Sequence, residues 1–240
     1  MEMIIVKYGN LMGSPDVKAM MHGIGADTPE ADMLFDEIYH IKLRFGLNGQ
    51  STSVILVEPE CPELFPALVD FSFISADPAT HGDASLSAAL EAVAMAGIRL
   101  EEVKSLFVTH PHGDHLDPRL APKLPNAKIY ADPDSGMPGA RPLPKEKCPS
   151  TFVSLNTPGH GGPHCSYLVD LPHRNLSVCL AGDLVMSHAH YLSLEHPLSF
   201  SNHKQGMKSV EAVKAALAAR PLKFKMILPG HDAPFFVDVE

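Results

Sequence analysis

Apolar residues fall into many short runs separated by turn formers. Met3–Lys7 (MIIVK), Ser53–Glu58 (SVILVE) and Ala67–Phe73 (ALVDFSF) come first; Ser105–Thr109 (SLFVT), Lys128–Ala131 and Thr151–Leu155 follow. Each run is short and rich in β-branched or aromatic residues, so each reads as a strand. Ser166–Asp170 and Leu176–Ala181 predict a hairpin over Pro172–Asn175, and Lys225–Leu228 is the last strand. Two stretches have helical spacing instead. Leu86, Leu90 and Val93 share one face of a helix over Ala84–Ala96, with Asp83 as N-cap and Gly97 as stop. Met207, Val210, Val213 and Leu217 mark a second helix over Lys204–Ala219, ended by Pro221. Many strands and few long helices predict two sheets with outer helices rather than a regular βαβ wind. Residues 132–149, with prolines at 133, 138, 142, 144 and 149, read as a long ordered loop.

The 240 residues suffice for one domain with a large core, and we expect a single domain over residues 1–240. A content of 45% hydrophobic and 20% charged residues is ordinary for a globular chain and excludes disordered and collagen-like classes. No apolar run is long enough to span a bilayer, so no membrane partner is expected. The net charge of −9 argues against a nucleic-acid partner. The opening MEMIIVKYGN is too short and too acidic for a signal peptide, so a cytoplasmic address is the default expectation. Four cysteines (Cys61, Cys148, Cys165, Cys179) without a C-x-x-C pair read as reduced and mostly buried. The 14 histidines exceed what a core needs and direct attention to their spacing.

The densest set follows the strand at Ser105–Thr109: His110, His112, Asp114 and His115. Alternate residues leaving a strand point the same way, so His110 and His112 can converge on one ion. Gly113 permits a sharp turn, after which Asp114 and His115 can face a second ion. Imidazole with carboxylate suits Zn²⁺, Fe²⁺ or Mn²⁺. Three later residues repeat the theme of a ligand at a strand exit: His160 in NTPGHGG, Asp183 in GDLV and His231 in PGHD. Each is weak alone. Together they make seven candidate ligands at strand exits, the usual place for a site on a sheet scaffold.

This order, His110-x-His112-x-Asp114-His115 followed by His160, Asp183 and His231, resembles the metallo-β-lactamase superfamily. The resemblance implies an α+β fold: a four-layer αβ/βα sandwich of two mixed β-sheets with outer helices and metals at one edge. It implies a first metal on His110, His112 and His160, a second on Asp114, His115 and His231, and Asp183 bridging both. The cofactor expectation is two Zn²⁺ per chain, with Fe or Mn as alternatives. The implied activity is metal-dependent hydrolysis of an ester, lactone or thioester by a hydroxide bridging the two ions, with Asp114 orienting it and carrying a proton. The alternatives are a mononuclear iron sulfur dioxygenase, disfavoured by the complete second ligand set, and a phosphodiesterase or nuclease, disfavoured by the acidic single domain.

The sequence departs from the best-known branches of that family. Leu116-Asp117-Pro118 stands where many thioesterases and lactonases carry glycines, and Gly161-Gly162-Pro163 follows His160. Met186–His203, with His188, His190, Tyr191, His196 and His203, reads as a pocket-lining insertion; most of its histidines are expected in solvent. Tyr191 is the favoured hydroxyl donor to an oxyanion. His164 reads as either a supporting or a surface residue, and His22, His40, His81 and His173 as structural or surface ones. Gly9–Gly49, with Met20-Met21 and the run Asp32–Leu47, reads as core filling, with a flap or lid as the alternative. A small-molecule substrate is the expected partner, and a homodimer is the default oligomeric state.

Overall fold

The computed structural model describes residues 1–7, 51–72, 90–119, 121–193 and 202–238. The N-cap Asp83, the Gly9–Gly49 segment with Asp32–Leu47, and His22, His40, His81 and His196 lie outside the described residues.

The strands form two mixed sheets. The first has six strands in chain order: β1 (Glu2–Lys7), β2 (Ser53–Val57), β3 (Ala67–Val69), β4 (Ser105–Phe107), β5 (Lys128–Ala131) and β6 (Arg141–Pro142). The first two pairings are antiparallel, and β3 to β6 run parallel. The second sheet comprises β7 (Phe152–Asn156), β8 (Cys165–Leu171), β9 (Leu176–Gly182), β10 (Phe224–Pro229) and β11 (Phe235–Phe236), in the spatial order β11-β10-β9-β8-β7. Its β9–β10 pair is parallel and its other pairs antiparallel. The expected hairpin is β8–β9, joined by a 3₁₀ turn at Pro172–Arg174 and by Asn175 in the left-handed region.

The sheets face each other across one apolar core. Ile5, Leu56, Phe107 and Val169, Leu180, Met226 belong to the same buried cluster. Phe107 and Phe152 meet across the interface with ring centroids 4.8 Å apart. Near the site the sheets are also stitched by polar bonds. The Cys165 amide donates to Thr109 O (2.8 Å), and the Tyr167 hydroxyl donates to Val108 O (2.9 Å).

Two helices follow β9: α1 (His188–Ser193) and α2 (His203–Ala218). Asn202 caps α2 by accepting from the Gln205 amide (3.1 Å). Val210, Val213 and Leu217 pack with Cys179, Ala181 and Ile227, covering the outer face of the second sheet. Residues 90–95 are helical, bury Ala92 and Val93 in the inter-sheet core, and end at Gly97 with φ +76°. The result is the α+β sandwich expected of the sequence. Among the described residues no helix is long and apolar enough to cross a membrane.

Three details differ from the sequence reading. The third strand stops at Val69 rather than Phe73, because Asp70 turns into the left-handed region (φ 46°). Phe71 then makes only an isolated bridge to Leu116. The two-residue strands β6 and β11 are too short to show periodicity. The Asp132–Pro149 stretch is ordered, as expected, but encloses β6 between 3₁₀ turns at Pro133–Ser135 and Lys145–Lys147.

Candidate metal centre

The topology brings the ligand-bearing turns to one edge. Strands β3 and β4 are parallel, so Asp70 and the 110–115 turn leave the first sheet at the same end. Strands β7 and β9 both run antiparallel to β8, and β10 runs parallel to β9; His160, Asp183 and His231 therefore leave the second sheet together. The turn bearing His160 is held against α2. The Asn202 amide donates to Gly159 O (3.2 Å), Ser209 Oγ donates to Pro158 O (2.6 Å), and a Cβ on Gly159 would collide with Gly206. A Cβ on Gly230 would collide with the Asp183 carboxylate, so only glycine fits beside it.

Seven side chains converge in two groups. His110, His112, His160 and Asp183 form one; Asp114, His115 and His231 form the other. In the first, His112 Nδ1 lies 3.0 Å from His110 Nε2 and 3.3 Å from His160 Nε2. Asp183 Oδ2 lies 3.3 Å from His160 Nε2 and 3.7 Å from His110 Nε2. In the second, Asp114 Oδ2 lies 3.3 Å from His231 Nε2 and 3.9 Å from His115 Nε2. The other Asp183 oxygen, Oδ1, sits 3.1 Å from His115 Nε2 and 3.2 Å from His231 Nε2. One carboxylate thus reaches both groups, one oxygen to each.

This donor set fits divalent cations. Ligand atoms about 2.0–2.2 Å from a tetrahedral ion lie roughly 3.3–3.6 Å from one another, and the separations above bracket that range. His115 Nε2 and Asp183 Oδ1 are buried and make no hydrogen bond, although they are 3.1 Å apart. A buried polar atom without a hydrogen bond is costly unless something else, such as an ion, engages it.

The protonation pattern separates the groups. Burial and then the neighbouring His115 hold His110 well below the ordinary imidazole value, and burial with His160 lowers His112. These rings are neutral and ready to ligate. In the second group burial also opposes charge, but the Asp183 and Asp70 carboxylates overcome it and raise His115 to about 10. His231 rises to about 9 against the same burial, through Asp183 and Asp114. Asp183 is held well below the carboxylate range: its burial is outweighed by His115 and His231.

A supporting layer lies behind the ligands. Asp70 accepts from the Thr109 amide (2.8 Å) and hydroxyl (2.6 Å), and its Oδ2 lies 2.9 Å from His115 Nδ1. Thr109 Oγ1, its proton committed to Asp70, lies 3.0 Å from His110 Nδ1. We assign both Nδ1 atoms as donors, which leaves Nε2 of His110 and His115 for an ion. His164 is buried behind His110, with ring centroids 5.2 Å apart and Nδ1 2.9 Å from Thr157 Oγ1. Burial and then His160 lower it to about 3, so it is a neutral support, out of reach of a substrate.

The seven predicted ligands are those brought together. Of the histidines after Asp183 expected mostly in solvent, His203 is exposed, but two are corrected by the structure. His188 and His190 are buried. The His188 amide donates to Asp232 Oδ2 (3.1 Å) and its ring packs 4.5 Å from Phe235; His190 Nδ1 accepts from the Met186 amide (3.2 Å). The Tyr191 ring lies 5.2 Å from Phe235, with Lys214 Nζ 5.5 Å from its centroid. Sequence reasoning missed Asp70 and Thr109 as site residues. An aspartate within the apolar run ALVDFSF was the available signal, since a buried carboxylate requires partners.

No family model matches the sequence, and no curated protein matches it. Solved structures do. A candidate metallo-β-lactamase from Thermotoga maritima is 17% identical, with 98% of this chain and 99% of that one covered and a TM-score of 0.59. A candidate metal-dependent hydrolase from Staphylococcus aureus is 13% identical over 96% and 89%, with a TM-score of 0.58. The dizinc quorum-quenching lactonase AidC, solved with a homoserine product, is 13% identical over 98% and 96%, with a TM-score of 0.55. The fold is that of the metallo-β-lactamase superfamily.

Proposed function

We propose that this chain, built on the metallo-β-lactamase fold, is a binuclear metal-dependent hydrolase of a small ester, lactone or thioester. The observation that carries the reading is the placement of Asp183, with one oxygen against each ligand group. The dizinc lactonase among the similar structures supports the choice of zinc and of an acyl substrate. Ions held at the site supply Lewis acidity and a water nucleophile active near neutral pH.

The chain's own residues do the rest. His110, His112 and His160 hold the first ion, Asp114, His115 and His231 the second, and Asp183 is shared. Asp114 is the most exposed carboxylate of the set (side chain 26%), so its Oδ2 is placed to orient a nucleophilic water and hold a proton. Burial raises Tyr191, keeping its hydroxyl a donor at neutral pH. The reading offers that hydroxyl to the developing oxyanion, although its ring packs with Phe235 and Lys214 on the α2 side of the second sheet. Replacing it, Tyr191→Phe, is expected to lower turnover by roughly 100-fold while metal content stays the same.

Elemental analysis of protein purified without chelator or histidine tag tests the reading. About two zinc or manganese per chain, with hydrolysis in a panel of lactones, thioesters and phosphodiesters, is the expected result. One iron per chain, with oxygen uptake on a persulfide, would replace it with a dioxygenase. No metal bound and none taken up would overturn it.

A further inference from the structure

Three consecutive hydroxyl residues, Ser51, Thr52 and Ser53, lead into β2 and are buried (0%, 8% and 0% exposed). The rest of the strand is apolar, VILV. Each side chain reaches a different turn of the site. Ser51 Oγ donates to the Asp114 carbonyl. Thr52 Oγ1 donates to Pro229 O (2.6 Å) and its amide to Gly230 O (2.6 Å), the two peptides before His231. Ser53 Oγ donates to the carbonyl of Asp70, whose carboxylate lies against His115. Ser51 holds the 110–115 turn, which carries ligands of both groups, and Ser53 holds Asp70, which reaches His115 directly and His110 through Thr109. Thr52 instead holds the two peptides that precede His231, a ligand of the second group alone. Because β2 belongs to the first sheet and His231 follows β10 of the second, Thr52 also fixes the distance between the sheets at this group.

We propose that Thr52 is a positioning residue that sets the affinity of the second metal site independently of the first. This rests on the binuclear reading above. Thr52→Val removes only the hydroxyl bond to Pro229 and keeps the amide bond to Gly230. Stepwise titration of the metal-free chain with Zn²⁺ or Co²⁺ against a competing chelator should show the second equivalent weakened about 10-fold or more and the first unchanged. Thr52→Ser should restore the wild-type value. Ser209→Ala, which cuts the tie to the His160 turn, should weaken the first equivalent instead. Equal weakening of both equivalents, or no weakening in a wild-type background that binds two, would overturn the inference. A wild-type chain that takes up no second ion defeats the binuclear reading itself, and this inference with it.

Discussion

The two ligand groups share one carboxylate but solve the same problem by opposite means. The first is imidazole-rich and partly open. His112 is exposed, its nitrogen sits near two other ring nitrogens, and burial lowers His110 and His112, with His115 and His160 respectively adding to it. The second is carboxylate-rich. Asp114, Asp183 and the supporting Asp70 surround two buried histidines and favour their protonated form. Without metal, His110 and His112 are driven toward the neutral form, whereas His115 and His231 take up protons beside their carboxylates. Any cation entering the second group must displace those protons, so its occupancy carries a pH dependence.

The comparison can be broken outright at the shared residue. Asp183→Asn should cost both ions together and lower activity by more than the roughly 100-fold of an outer-shell lesion; metal analysis showing loss of one ion alone would contradict sharing. Single-group lesions come next. His110→Ala should release the first ion and His231→Ala the second, both in folded proteins, because the ligands lie at strand exits. Metal content with circular dichroism separates these outcomes. Asp70→Asn sharpens the contrast further: the second equivalent, whose His115 it touches directly, should weaken about 10- to 100-fold, and the first, which it reaches only through Thr109, by less. The smallest effect is on stability. Folding raises His115 and His231 from the ordinary 6.5 to about 10 and about 9. At these two histidines the metal-free folded chain therefore binds protons more tightly than the unfolded chain. That stabilisation is complete below pH 6.5 and is lost as pH rises through 9 to 10. Melting of chelator-treated protein across this window should show the decline, and metal-loaded protein should not.

The ligands were legible because their chemistry demands particular residues at strand exits. His110, His112, Asp114 and His115 occupy six positions after one strand, and no packing requirement explains such a run. The supporting layer was less legible because it depends on conformation. Asp70 sits in register with an apolar strand, and only its left-handed backbone turns it toward Thr109 and His115. His188 and His190 look polar and solvated in sequence. His188 is held by Asp232 and Phe235, some 40 residues away in the chain, which no local pattern encodes. The strand cores were readable throughout, whereas β6 and β11 exist only because a neighbouring strand offers them an edge.

Each ligand group draws on both sheets. The first combines His110 and His112 with His160 and Asp183, and the second combines Asp114 and His115 with His231. An ion in either group is therefore a clasp between two halves of the sandwich that are otherwise held by side-chain packing and a few cross-sheet bonds. The stability of this protein becomes a function of the free metal around it. At a concentration 100 times the dissociation constant, one such clasp adds about 2.7 kcal/mol to the folded state. A cell that withholds the metal would lose the fold's margin along with the chemistry.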